Sequence, residues 1–322
     1  MAHQIDFSNG RANMAFVGDR ANIWHGLGQQ LTDEASIDVW KVEAGMNWVI
    51  ESSPIIYDNG VRDGNPFPIY SGKRVLFRSD TKEALSIVSN KYNVVQPEEV
   101  LEFFRDLTED LGMKMSTAGC LFGGRKFWAL ADTGLAGKVL GDDEVKGYTL
   151  LTSSCDGSSP TIAQFTSIRV VCNNTLEWSL QGSSSKRASV RHRRVFSPRD
   201  IKASLGLVHS SWDAFMDSIT VLSEKKVTDK MARKFIENLL VNKGSEITDA
   251  QVRKTDAIFD LFKNGMGADM SRGTLWGVVN GVTEFVDHHS GGRIGDTKLW
   301  NSWYGNGATL KNKAFENALA LL

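Results

Sequence analysis

Cysteine is scarce. Cys120, Cys155 and Cys172 are the only three in 322 residues, odd in number and far apart. No CxxC pair occurs, which argues against a structural zinc site and for reduced thiols in a cytosolic protein. Long apolar runs are absent: none approaches the roughly 20 residues that a membrane helix needs. The opening MAHQIDFSNGR has no basic segment followed by an apolar core, so no secretory signal is expected. Net charge is also missing, since 37 Lys and Arg against 38 Asp and Glu leave −1. That balance argues against general adhesion to polyanions, so an anionic partner has to be met by a local patch. Gly134 to Val139, GLAGKV, lacks both the spacing and the Ser/Thr of a phosphate loop. There is no GxSxG elbow, and no cysteine stands beside an activating group. Neither ATP, nor a metal, nor any other cofactor is expected.

What is present reads as an ordinary soluble globular chain, 41% hydrophobic and 23% charged, with length enough for two modest domains. Residues 1–23 are polar and predicted to be an extended arm. Residues 24–182 read as an antiparallel sheet domain. Thr32, Asp33 and Glu34 begin a short helix ending at Gly45. Strands follow over Trp48–Tyr57, Lys73–Arg78 and Leu85–Val95. In KRVLFR, Val75 and Phe77 take one side and Arg74 and Arg78 the other. Pro97 opens a helix that buries Val100, Phe103, Phe104 and Leu107. Met113–Leu130 reads as a hairpin turning at Gly123-Gly124. Tyr148–Ser153 and a strong strand through Ile168, Val170 and Cys172 follow. Asn174 with Glu177 reads as the cap of a short helix. The predicted fold is α+β: a curved antiparallel sheet with a covering helix, then a mainly helical half.

Residues 183–197 read as a basic flexible linker. Lys186, Arg187, Arg191, Arg193, Arg194 and Arg199 fall within fourteen residues, and no Asp or Glu lies between Glu177 and Asp200. Residues 198–322 form the helical domain. Pro198 starts a helix carrying Ile201, Leu205, Val208, Trp212, Phe215, Ile219 and Leu222, an apolar seam suited to intramolecular packing. Thr228 and Thr248 start two more helices, the first with Met231, Phe235 and Leu239 inward.

Cations and rings interleave on the predicted strands at Lys73, Arg74, Arg78, Arg125, Lys126, Trp128 and Arg169. Single-stranded nucleic acid is held by that combination, with cations for phosphates and flat rings for bases. Acids raise another possibility. Asp132 ahead of Glu144-Val145-Lys146 has the residue types of a magnesium-dependent nuclease. Asp287, His288 and His289 could ligate a metal, but the spacing suggests no further ligand.

At RVVCNNTLEWSL, residues 169–180, the chain resembles the phage/plasmid-like protein family, catalogued as a domain of unknown function. Arg169, Val170, Val171, Cys172, Asn174, Thr175 and Leu176 carry the likeness. Trp24-His25-Gly26-Leu27-Gly28, Tyr92-Asn93-Val94-Val95-Gln96, Arg191-His192 and Gly305–Ala314 agree in order. The resemblance implies a mobile-element protein in the host cytoplasm. The strand-rich front with a covering helix also looks like the phage single-strand annealing proteins of the RecT, Redβ and Rad-fifty-two type.

The sequence therefore leads to a single-stranded DNA-binding and annealing protein without a catalytic residue. Lys186, Arg187, Arg191, Arg193 and Arg194 would grip phosphates, with Arg169, Lys73, Arg74, Arg125 and Lys126 beneath them. A second copy of the chain and a host protein are further candidate partners; a membrane is not. The rival readings are a protein that disables a host defence or replication factor, and a metal-dependent nuclease using Asp132 and Glu144.

Overall fold

The computed structural model of the chain describes residues 6–7, 10–19, 27–61, 64, 67–169, 174–177, 187–190, 192, 208–241, 244–290 and 296–322. The first half is built of β1 (Met14–Val17), β2 (Gln29–Leu31), β3 (Ile50–Ile56), β4 (Ile69–Arg78), β5 (Ala84–Ser89), β6 (Lys114–Leu121), β7 (Lys126–Lys138), β8 (Glu144–Ser154), β9 (Thr161–Arg169), β10 (Asn174–Glu177) and β11 (Arg187–Val190), with burial alternating along β3. Two helices lie among them, α1 (Ile37–Glu43) and α2 (Pro97–Leu111). The second half holds α3 (Val208–Glu224), α4 (Asp229–Leu240), α5 (Asp249–Asn264), α6 (Ala268–Ser271), α7 (Leu275–Glu284), α8 (Asp296–Tyr304) and α9 (Asn306–Leu319). The fold is thus mixed α+β, sheet-rich first and mostly helical after. No helix among the described residues is long and apolar enough to cross a membrane.

The strands divide between two open sheets, where the sequence suggested one. The larger runs β10-β9-β8-β7-β6-β1-β2 with β11 also on β9, and β3-β4-β5 stand apart. Stacking a second layer buries the inner face of the first. Leu76, Leu85 and Val88 of the small sheet join Val100 and Phe103 of α2 and Phe127, Leu151 and Phe165 of the large sheet in one core. That core continues into the helical half through Trp212, Phe215, Ile236, Phe262 and Phe315. The indole of Trp276 in α7 donates to Asp143 Oδ2 at 3.2 Å, joining the β7–β8 turn to the helices.

Several local expectations change. Arg78, expected among the strand cations, lies with Leu76 on the buried side of β4, and Val75 and Phe77 are half-buried. Arg78 is fully buried, its Nη1 2.6 Å from Asp6 Oδ2, its Nη2 2.7 Å from Asp80 Oδ2, and its guanidinium 4.2 Å above the Trp48 ring. Two carboxylates and an aromatic face make that burial tolerable. Asn174–Glu177 is a strand, not a helix, because pairing with Thr166–Arg169 takes its backbone groups. Helix α1 starts later than expected, with Ser36 accepting from the Val39 amide. In α4, Met231 is 52% exposed, and Ala232, Phe235, Ile236 and Leu239 face inward. Phe104, Leu107, Val170, Cys172, Pro198, Ile201 and Leu205 carry expectations that lie outside the described residues or side chains.

Other expectations hold. Gln96 and Glu99 make a reciprocal capping box ahead of Pro97. Thr228 and Thr248 cap α4 and α5. Trp212, Phe215, Ile219 and Leu222 of α3 are all buried. The β6–β7 turn has Gly123 and Gly124 at φ +67° and +88°, and a Cβ at Gly124 would lie 2.7 Å from the Trp48 ring. Cys120 and Cys155 are buried free thiols. Burial pushes the Cys155 thiol up to about 12 and the Cys120 thiol upward as well.

Candidate nucleic-acid interface

Among the described residues, Arg74, Arg125 and Lys126 lie towards one end of the large sheet, where β6 turns into β7 and β8 into β9, with Lys73 beside Arg74 on β4. Lys126 pairs with Ser154 in register, and the Cys155 amide donates to Arg125 O at 2.9 Å. Ser86 of the small sheet donates through its hydroxyl to Cys155 O at 2.6 Å, and Tyr92 OH donates to Ser154 O at 2.8 Å. This brings the end of β4 close by, since Arg74 Nη2 donates to Tyr92 O at 2.8 Å.

The basic stretch reaches the same end. β11 pairs antiparallel with β9, from Arg187 opposite Gln164 to Val190 opposite Thr161. Part of the expected linker is therefore built into the sheet. Just beyond, His192 is buried. Its Nδ1 lies 3.2 Å from Asn93 O and its Nε2 3.1 Å from Ser159 O, and the Asn93 amide donates to His192 O at 2.6 Å. Its ring stacks on Tyr92. Burial pulls the imidazole pKa below its ordinary value, against the smaller opposing effect of its backbone partners. Sequence reasoning assigned His192 no role; its only signal was its place in the Arg191-His192 pair.

The cations differ in what they can offer. Lys73 and Arg125 are exposed, with Arg125 Nε on Phe122 O at 3.0 Å. Arg74 is half-buried. Lys126 points inward and is 6% exposed. Its ammonium reaches Ser158 Oγ at 2.5 Å, stands 4.0 Å from Asp156 Oδ2 and lies 4.0 Å from the centre of the Trp300 ring of α8. Burial lowers its pKa despite that neighbouring carboxylate. Its charge is spent inside the fold, where sequence reasoning had placed it facing phosphates. Arg169, opposite Val145 and Asn174, sits at the far end of β9. Lys186, Arg191, Arg193 and Arg194, and the side chains of Arg187 and Arg169, lie outside the described residues and side chains.

The two acids of the nuclease reading stand at different registers of the β7–β8 pair. Asp132 is opposite Tyr148, whereas Glu144 is opposite Lys138, four residues further along β8, or roughly 13 Å at strand spacing. Asp132 instead joins Lys146 in lining a cavity of about 530 Å³ on the sheet face beneath α8. A π-helical turn, Phe285–His289, sets Asp287 into the cavity wall. There Lys311 Nζ lies 2.8 Å from Asp287 Oδ1 and 2.9 Å from Ser302 Oγ, and the Ser302 hydroxyl also donates to Asp287. Lys311 and Ser302 gave no signal in the sequence. His289 Nε2 is 3.7 Å from Glu284, and its ring stands 6.5 Å from that of His288.

The model of a family described as a domain of unknown function, DUF932, matches residues 84–304. The chain belongs to this family. The matched span holds Arg125, His192, β6 to β11 and the helices as far as α8, while Lys73, Arg74 and the cavity residues Asp19 and Asp33 precede it; it includes the RVVCNNTL segment, whose last residues form β10. No curated protein and no solved structure matches the chain.

Proposed function

We propose that this family member is a phage- or plasmid-borne protein that binds single-stranded nucleic acid at the end of the large sheet around His192, in the host cytoplasm. The observation that carries the reading is the anchoring of His192. Within the basic stretch, residues 187–190 and His192 stand at the sheet end where Lys73, Arg74 and Arg125 lie. Cations held on a rigid edge serve an extended strand better than cations on a free linker, because less side-chain and backbone freedom is lost on binding. Annealing and recombination suit such a protein, since they need strands held extended with bases accessible. Lys126 is left out of the interface.

The test is a titration with single-stranded and duplex DNA across salt. Each phosphate neutralised on a single strand contributes roughly 0.7 to the log–log salt slope. Arg191→Ala, Arg193→Ala and Arg194→Ala together should flatten that slope by about 2 and weaken binding equally for any sequence. An unchanged slope in the folded triple variant removes this segment from the interface.

A further inference from the structure

The cavity beneath α8 contains polar groups that the fold leaves without partners. Tyr148, Asp132 and Lys146 share one face of the sheet, with Tyr148 opposite Asp132 and Lys146 two residues along the same strand. Among the described residues, the Tyr148 hydroxyl and the Lys146 ammonium have no hydrogen-bond partner, and Asp132 is held only by the Gly134 amide at 2.8 Å on Oδ1. Burial, with the Asp132 and Glu144 charges, pushes the Tyr148 pKa upward, so its hydroxyl stays a donor. The Thr117 hydroxyl is likewise unpartnered, though the residue is 8% exposed. These atoms remain open to solvent, so a ligand with a matching polar edge can replace water on them, and the buried Trp128 indole N–H beside them has no hydrogen-bond partner among the described residues.

Two features define that ligand. The first is flatness: Trp128 and Trp303, with ring centroids 5.4 Å apart, and the Tyr148 ring give the cavity aromatic walls. The second is charge. Asp19 and Asp33 join Asp132 in the lining, against Lys114 and Lys146, while Asp287 is neutralised by Lys311. A phosphate inside would meet more carboxylates than ammonium groups. The ligand part that enters is therefore uncharged and planar, and offers a donor beside an acceptor. About 530 Å³ holds a nucleoside.

We infer that this cavity binds a nucleobase bearing an exocyclic amine. Asp132 accepts from the amine, Lys146 and Tyr148 donate to the ring nitrogen or carbonyl beside it, and the indoles cover the ring. Guanine, cytosine and adenine meet that pattern; thymine has no exocyclic amine, and its one donor on that edge, the imide N3–H, is hemmed in by two carbonyls that repel the Asp132 carboxylate. The base can come from a free nucleoside or from a bound strand. Only the second source rests on the function proposed above.

The test is calorimetric titration of the full chain with guanosine, cytidine, adenosine and thymidine. A second arm uses a thymidine-only oligonucleotide and the same oligonucleotide with one guanine. The amine-bearing nucleosides should bind at least about tenfold tighter than thymidine, and Asp132→Asn and Tyr148→Phe should each lose about tenfold, the worth of one hydrogen bond to or beside a charge. Nucleoside binding without oligonucleotide binding upholds the site with a free nucleoside as its ligand and overturns the strand-binding function. Tighter binding of the guanine-containing strand, removed by Asp132→Asn, upholds the site with the strand as source. Salt-dependent oligonucleotide binding with no nucleoside bound, or nucleoside binding unchanged in both folded variants, overturns the inference and leaves strand binding standing.

Discussion

The ring of His192 lies on that of Tyr92, with centroids 4.6 Å apart and planes 23° from parallel. This contact, with the ring's two carbonyl partners, holds His192 between Asn93, which follows the small sheet, and the β8–β9 turn.

His192→Ala removes the stack and leaves Asn93 O and Ser159 O without the imidazole. Urea unfolding should show a loss of about 2–3 kcal/mol, and single-strand affinity should fall although no cation has been removed. The pH dependence has a definite sign. The folded pKa lies below the ordinary 6.5, so the unfolded chain takes up the proton more readily. Stability from this group is complete above 6.5 and is lost as pH falls through 6.5 towards the lower folded value. The stability gap between the native chain and His192→Phe should therefore narrow from about pH 7 to about pH 5. A gap that widened would contradict the buried neutral imidazole.

Lys126 and Arg125 are adjacent but do different work. Lys126→Met keeps the stem that packs under Trp300 and drops a charge used only inside. Filter binding should show single-strand affinity and salt slope unchanged. Arg125→Ala with Lys73→Ala should flatten the slope by about 1. The reverse pattern would place the interface on the α8 side of the sheet.

Arg78 is held by Asp6 and Asp80, and its hydrogen bond keeps the Asp80 carboxyl below its ordinary pKa. Removing one partner of a buried pair leaves a charge under-compensated. Asp6→Ala should cost about 3 kcal/mol, and adding Arg78→Met should recover part of it. A double-mutant cycle measures this; simple additivity of the two losses would show that the pair is not coupled.

Trp212 packs on Phe215, and Phe215 on Phe315 of α9, with centroids 5.9 and 5.8 Å apart. Trp212→Ala should destabilise the chain by roughly 3–5 kcal/mol in chemical denaturation. A loss below about 1 kcal/mol would mean that this face of α3 is covered by another molecule in the functional state.

The sequence alone determined the elements whose cause is local. Pro97 started α2, Thr228 and Thr248 opened their helices, and the seam of α3 named its own buried residues. Each depends on neighbours a few residues away. Tertiary structure decided what depends on distant partners. Period two put Arg78 opposite Phe77 but could not say which face was inside, because Asp6 and Trp48 lie far off in the chain. The same holds for Asn174–Glu177, a helix start by its cap and a strand by its pairing with β9. Lys126 and Arg125 look alike in sequence; the Trp300 ring, brought over the sheet by α8, draws one charge inward. The cavity trio of Asp132, Lys146 and Tyr148 was half legible as acid and lysine. It became a site only when β7 and β8 paired in register, because the distance that matters to a ligand is set across strands and not along the chain.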